Sequence, residues 1–399
     1  MKKIKTGFSL NFLNLILLAV SLVYLLYGYL HAMIAIACDG YLRWAECACL
    51  LHGIYPMDII LGRLSIQAPY THFDNTATTI PWSYLLSNFF YPGFLTWPQA
   101  RMWALMLFTV CFLLSMLLLW KYLRRITGNR NFFFLTVLIW SSNFGWGSAL
   151  TKVNNGMFTC ISILVVLLLL EYGENSLRND IFLALLMVVA MLKPQIALLF
   201  YIPLLYRKKY RSIFLSGVIL LAAWIGAAVL LQISPLTILL EQFQVGADLK
   251  VTSVYVYYGL FDFLTRFGIS TRFIMILQFA VFIPLAFVLG YMLRKSSMWI
   301  QFAVPSVLTL LWCYHHNTDL QVIGILMICI GHLMVNAHHN TRLQLCCLLL
   351  LLFNLLPISY AYYDITPALP FLQRMVYLAG LILVIRHRDE IVFPIDSSV

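Results

Sequence analysis

Apolar residues along this chain gather into blocks, separated by short polar stretches that carry Lys, Arg, Gly or Pro. The blocks fall at roughly 9–30, 101–122, 131–147, 156–171, 181–193, 194–206, 212–232, 271–293, 299–313, 320–336, 343–357 and 371–386. Runs this apolar predict membrane helices, since about 20 such residues cross a hydrocarbon core. Several blocks are shorter, so they are tilted, packed inside the bundle or re-entrant. The pattern predicts an all-α integral membrane protein of about 12 transmembrane helices, in a single multi-pass domain over residues 1–399. Two long polar segments, 31–100 and 233–270, interrupt the blocks. The first holds an amphipathic stretch at 41–51 that reads as an interfacial helix, with Tyr41 and Trp44 as interfacial aromatics and Gly53 to end it.

Composition agrees: 62% of residues are hydrophobic and 10% charged, against about 25% charged in soluble domains. A soluble globular protein is excluded. The net charge of +11 matters through its location. Lys2, Lys3 and Lys5 precede the first block and hold the N-terminus in the cytoplasm. The segment 181–206, broken at Lys193-Pro194, is either a hairpin or one kinked span. The hairpin puts 17 of the 26 basic residues and six of the 15 acids on the cytoplasmic face, and leaves the other face neutral. A single span would turn the basic loops after it outward, so the hairpin is predicted. The charge is then accounted for by orientation in a plasma (cytoplasmic) membrane, with both termini inside, and calls for no nucleic acid. The N-terminal block is too long for a signal-peptide core, so the first helix is retained. Most of the nine cysteines, among them Cys111, Cys160, Cys329, Cys346 and Cys347, sit in apolar blocks as small hydrophobes. Cys38, Cys47 and Cys49 have no ligand-spaced partner for a metal, leaving thiols or a disulfide as their alternatives.

Polar residues that are expensive at membrane depth cluster in the outward-facing turns. Asp39 directly follows the first block. It is either an N-cap of the interfacial helix or a carboxylate whose basicity is raised by desolvation. Lys152-Val153-Asn154-Asn155-Gly156 is either a capped turn or an anion site built from Lys152 and the amides of the next helix start. Lys193-Pro194-Gln195 joins two apolar half-helices with no acid in the same segment. Lys193 either snorkels or serves a charged substrate at a broken helix. In Tyr314-His315-His316-Asn317-Thr318-Asp319 the adjacent histidines point apart, which disfavours a shared metal, and Asp319 stands where it can orient His315. That stretch suits phosphate or sugar contacts, or a plain polar turn.

These stretches, in this order and with this sidedness, resemble the GT-C superfamily of membrane glycosyltransferases. Within it they are most similar to the glycosyltransferase family 87 branch of polyprenyl-phosphate-mannose-dependent enzymes. The resemblance covers roughly residues 10–340 and rests on Asp39-Gly-Tyr-x-Arg43-Trp, Gly53-Ile-Tyr-Pro, Lys152-Val-Asn-Asn-Gly, Leu192-Lys-Pro-Gln195 and Tyr314-His-His-Asn-x-Asp319. It implies a GT-C fold in which segments 31–100 and 233–270 roof an active site on the outer face. It also implies transfer of a hexose or pentose, mannose-like, from a polyprenyl-phosphate sugar to a lipid-linked or glycan hydroxyl, with inversion and with neither metal nor cofactor. Asp39 would be the general base. Arg43, Lys152, Asn155, Lys193, Gln195, His315, His316 and Asp319 would contact the donor phosphate and sugar. A transporter or flippase of lipid-linked sugars is the alternative, although the chain shows no internal repeat.

Overall fold

A computed structural model describes residues 10–36, 38–65, 80–127, 130–252, 260–261, 264, 267–312, 317–337, 340–356 and 368–391. His315 and His316, the N-terminal lysines and segment 66–79 of the first polar loop lie outside the described residues. The chain is an all-helical membrane protein, with no strand among the described residues. Among the described residues every apolar block carries helix. Five stretches are long and apolar enough to cross a membrane: Leu10–Ile34, Trp97–Leu123, Tyr210–Leu231, Arg272–Met292 and Asn317–Asn336.

The helices sort by what covers them. Helix α1 (Leu10–Ile34) turns Leu15, Leu22, Leu26 and Leu30 outward. After α2 (Asp39–Leu51), α3 (Pro56–Ile60) and α4 (Ser83–Leu86), the long α5 (Trp97–Thr127) likewise exposes Met106, Leu113 and Leu117. In water, faces of this size would aggregate; in a bilayer the lipid tails cover them. By contrast α8 (Gly156–Tyr172) is buried on all sides from Gly156 to Leu168. The same is true of all of α15 (Met298–Trp312), and of α16 (Gly324–Asn336) from Gly324 to Leu333. Helices apolar all round belong inside a bundle, which is why these short blocks need not meet lipid.

Helix α8 runs between the two ends of the bundle, which at 17 residues lie about 25 Å apart. At its C-terminal end Glu171 accepts from the Met298 amide at 2.8 Å. Helix α6 (Arg130–Ser141) packs against α1, α5 and α16, and α7 (Phe144–Thr151) leads through a turn into the N-terminal end of α8. Asn143 interrupts the block 131–147: its Oδ1 caps α7 at the Gly145 amide, 2.7 Å, so one predicted span is two helices.

The segment 177–206 doubles back. Helix α9 (Leu177–Ala190) is followed by the short α10 (Pro194–Ala197) and α11 (Tyr201–Tyr206), and Lys209, just beyond α11, donates to Asp180 at 3.0 Å and to Asn175 at 2.8 Å. Both ends of the segment therefore meet, as in the predicted hairpin. Its tip is tied by two indoles from distant sequence: Trp82 donates to the Met191 carbonyl and Trp312 to the Gln195 carbonyl, each at 2.8 Å. These bonds satisfy carbonyls that the broken helix leaves without partners. The outer layer is completed by α12 (Tyr210–Leu231), α13 (Pro235–Thr252), α14 (Thr271–Met292), α17 (Thr341–Asn354) and α18 (Ala368–Arg386).

Candidate functional site at the head of helix α8

Asp39 is the first residue of α2, not its cap; Cys38 holds the cap position and makes no side-chain cap bond. The carboxylate faces another element: Asn154 Nδ2 donates to Asp39 Oδ2 at 2.5 Å. The N-cap alternative for Asp39 is thereby set aside. The turn that carries Asn154 is docked on the start of α2. Gly40 donates to the Lys152 carbonyl at 3.0 Å, and Tyr91 donates to the Val153 carbonyl at 2.7 Å. Val153 takes a left-handed φ of +48°, an expensive conformation for a β-branched residue. Gly40 is required for the close approach, since a Cβ there would lie 2.6 Å from the Val153 carbonyl oxygen.

On the other flank of the α8 head runs a 3₁₀ segment, Asn317–Ile323. Its seven residues exceed the three or four usual for this helix type. Thr318 and Asp319 stand beside Gly156, where a Cβ would lie 2.7 Å from the Thr318 carbonyl oxygen and 3.1 Å from Asp319 Oδ1. Asp319 accepts a hydrogen bond from Lys193, and both side chains are buried. Lys193 therefore does not snorkel. Thr159, one turn into α8, donates to the Ala190 carbonyl at 3.1 Å and secures the hairpin tip beside this pair. The head of α8 thus brings together Asp39, Asn154, Asp319 and Lys193 from four separate stretches of sequence.

The anion site expected from the amides of this helix start is not formed. Gly156 donates to Asn154 Oδ1 at 2.7 Å, Met157 to the Asn154 carbonyl, and Phe158 and Thr159 to the Asn155 carbonyl. The chain's own acceptors occupy the donors that an anion would use. Asn155 itself is 5% exposed and its Oδ1 has no partner among the described residues, as is true of Thr318 Oγ1 at 1% exposure. Buried polar atoms are nearly always paired, so these two are apt receivers for ligand hydroxyls.

Of the remaining expected contacts, Arg43 donates from Nη1 to both oxygens of the buried Glu46, at 3.1 and 2.8 Å. Gln195 lies in α10 and gives its carbonyl to Trp312. Tyr41 and Trp44 are 5% and 6% exposed and pack on Trp97, so they are core residues and not the interfacial aromatics their spacing predicts. Helix α2 is covered by α5 and by residues 89–95, and the Trp44 indole donates to the Leu95 carbonyl at 2.9 Å.

Two groups escaped the reading of the sequence. Asn154 carries the contact to Asp39 that its neighbour Asn155 was expected to supply to a ligand. The Asn-x-Gly spacing, which makes a side-chain turn onto the glycine amide, distinguishes the two. Arg101 of α5 donates to the Ala35 carbonyl at 2.7 Å, and Trp97 donates to the same oxygen at 3.2 Å. They fix the elbow that leads into Asp39. Burial pushes the Cys38 thiol up to about 11, and it raises Tyr91 as well. Both are neutral at pH 7 and add no charge beside Asp39. Cys38, Cys47 and Cys49 are free thiols.

The two polar loops also touch. Arg63 donates to Asp58 at 3.0 Å within the first loop and to Glu241 of α13 at 2.7 Å in the second. Among the described residues no cluster of His, Cys, Asp and Glu is arranged to hold a metal ion. No family model matches the chain, and neither curated proteins nor solved structures give a match.

Proposed function

We propose that this protein is a membrane glycosyltransferase that moves a sugar from a polyprenyl phosphate to an acceptor hydroxyl, with a GT-C arrangement of about 12 spans and the site on the outer face of the membrane. The observation that carries the proposal is the Asp39 carboxylate at the exit of the first membrane helix, held by Asn154 beside the buried Lys193–Asp319 pair. The resemblance of the surrounding stretches to family 87 enzymes supports it.

In this reading Asp39 accepts the proton of the acceptor hydroxyl as its oxygen attacks the anomeric carbon. The bond from that carbon to the phosphate oxygen breaks, and the polyprenyl phosphate leaves with the electron pair and the negative charge. Lys193, Lys152, Arg43 and the His315-His316 stretch are the proposed stabilisers of that charge. Asn155 and Thr318 would receive sugar hydroxyls, a role suited to their unpartnered polar atoms.

The test is transfer by purified protein, offered a panel of labelled polyprenyl-phosphate sugars and membrane lipids. Wild type is expected to make a new labelled lipid or glycan, and Asp39→Asn none. Turnover retained by Asp39→Asn would remove Asp39 as the base. A second reading, movement of a lipid-linked sugar across the bilayer, draws on the buried ion pair at the break between half-helices. Its signature is donor crossing vesicle membranes equally well with wild type and Asp39→Asn, and no transfer with either.

A further inference from the structure

We propose that Asn154 is the positioning residue of Asp39: its amide, locked by the start of α8, pins one carboxylate oxygen and so sets the direction from which the carboxylate takes a proton. The proposal rests on Asp39 serving as the base of the transfer described above.

A side-chain amide has a donor end and an acceptor end, and here the acceptor end has no freedom. Asn154 Oδ1 receives the Gly156 backbone N–H at 2.7 Å. A backbone N–H cannot accept, so reversing the amide would set two donors against each other. Nδ2 is therefore left facing Asp39 Oδ2. The backbone of Asn154 is equally constrained: its N–H donates to the Ala149 carbonyl at 2.9 Å and its carbonyl accepts from Met157 at 3.2 Å. With the Lys152 and Val153 carbonyls bonded to Gly40 and Tyr91, the turn cannot slide along α2. Every link from α8 to Asp39 is backbone or a short, 4% exposed side chain.

This geometry has two consequences. The carboxylate cannot rotate without breaking its bond to Asn154, so proton transfer is confined to one orientation. The N–H donated to Asp39 also favours the ionised form, the form a base requires. Among the described residues, titratable or charged neighbours include Arg43 on the same helix, the neutral Cys38 and Tyr91, Arg101 of α5, which acts on Cys38, and Lys152, whose carbonyl holds Gly40. The contact to Asp39 from Asn154 is made by a donor anchored through its own backbone.

The decisive variant is Asn154→Asp in the full chain. An aspartate caps a helix start about as well as asparagine, so Gly156 keeps its acceptor and the fold its turn, but Asp39 loses the Asn154 N–H and faces a second carboxylate. At pH 7 kcat is expected to fall at least about tenfold with the donor KM unchanged, and the acid limb of the kcat–pH profile to rise by about one unit or more, since two facing carboxylates share a proton. Wild-type kcat with an unmoved acid limb would overturn the proposal. Infrared titration of 13C-aspartate-labelled protein, with Asp39→Asn as the subtraction, reads the same contact without turnover. In Asn154→Ala the Asp39 midpoint is expected to rise by about one unit, and an unmoved midpoint overturns the proposal. If wild type transfers no sugar, the enzyme reading fails by itself, and the infrared titration still decides whether Asn154 governs Asp39.

Discussion

Lys193 and Asp319, 126 positions apart in the chain, form a buried ion pair at the head of α8. Lys193 has no acid in its own apolar segment and Asp319 stands in a polar turn, and each compensates the other once the hairpin tip meets the 3₁₀ segment. An anionic donor reaching Lys193 must therefore compete with a carboxylate already in place, or act while Asp319 holds the lysine in position.

Breaking the pair and replacing it are expected to differ. Asp319→Ala leaves an ammonium buried without compensation, at a cost of about 3–5 kcal/mol, whereas Lys193→Met with Asp319→Leu is expected to be neutral or stabilising. Thermal unfolding in detergent measures both. If the pair serves the substrate, the double variant folds and transfers nothing; full transfer by that variant would reduce the pair to packing.

Gly40→Ala is expected to push the Lys152–Asn154 turn off α2, because the new methyl would meet the Val153 carbonyl at 2.6 Å and Val153 Cβ at 2.8 Å. Overpacking of this kind costs about 1–3 kcal/mol, and transfer should be lost with the Asn154 contact. Gly217→Ala is the control. No atom lies within 4 Å of its new methyl, in the middle of α12, so it is expected to add about 0.5–1 kcal/mol of stability. Equal melting temperatures for the two variants would contradict the close approach at Gly40.

Burial holds the Cys38 thiol up at about 11 and the Cys49 thiol up at about 12. Alkylation needs the thiolate. In the native protein Cys38 is therefore expected to react with iodoacetamide slowly at pH 8 and to accelerate only as the pH approaches 11. A thiol whose folded value exceeds the ordinary value near 9 contributes nothing unfavourable below pH 9, and the fold loses stability as pH rises from there through 11. Rapid labelling of Cys38 at pH 8 without unfolding would refute its burial.

The hairpin is testable by sidedness. Arg178 and Arg211 are exposed and flank the Asp180–Lys209 ion pair. In a cysteine-free background, Arg178→Cys and Arg211→Cys are expected to be labelled by an impermeant maleimide from the same side of the membrane. Labelling from opposite sides would restore the single kinked span and invert every loop that follows.

The block pattern alone was enough to identify helical membrane architecture and to place the helices. Among the described residues each of the twelve apolar blocks carries helix, one of them split at Asn143, because hydrophobicity over ~20 residues is a local property that lipid or a buried bundle position must satisfy. Charge placement likewise favoured the hairpin at 181–206, whose ends the flanking Asp180–Lys209 pair brings together. Asp39, Lys193 and Asp319 were legible as costly polar residues in apolar surroundings. Their partners were not, since a hydrogen bond between residues 115 positions apart, such as Asn154 to Asp39, leaves no trace in spacing.

Composition and periodicity thus determined where the helices lie and which polar residues demand an explanation. Only the tertiary structure decided that Asn154 and not Asn155 meets Asp39, that Arg43 is bound to Glu46, that the amides at the start of α8 are occupied, and that Tyr41 and Trp44 lie in the core. Burying apolar surface is indifferent to the identity of the neighbour, whereas a buried polar atom must find one particular partner, and the fold alone selects it.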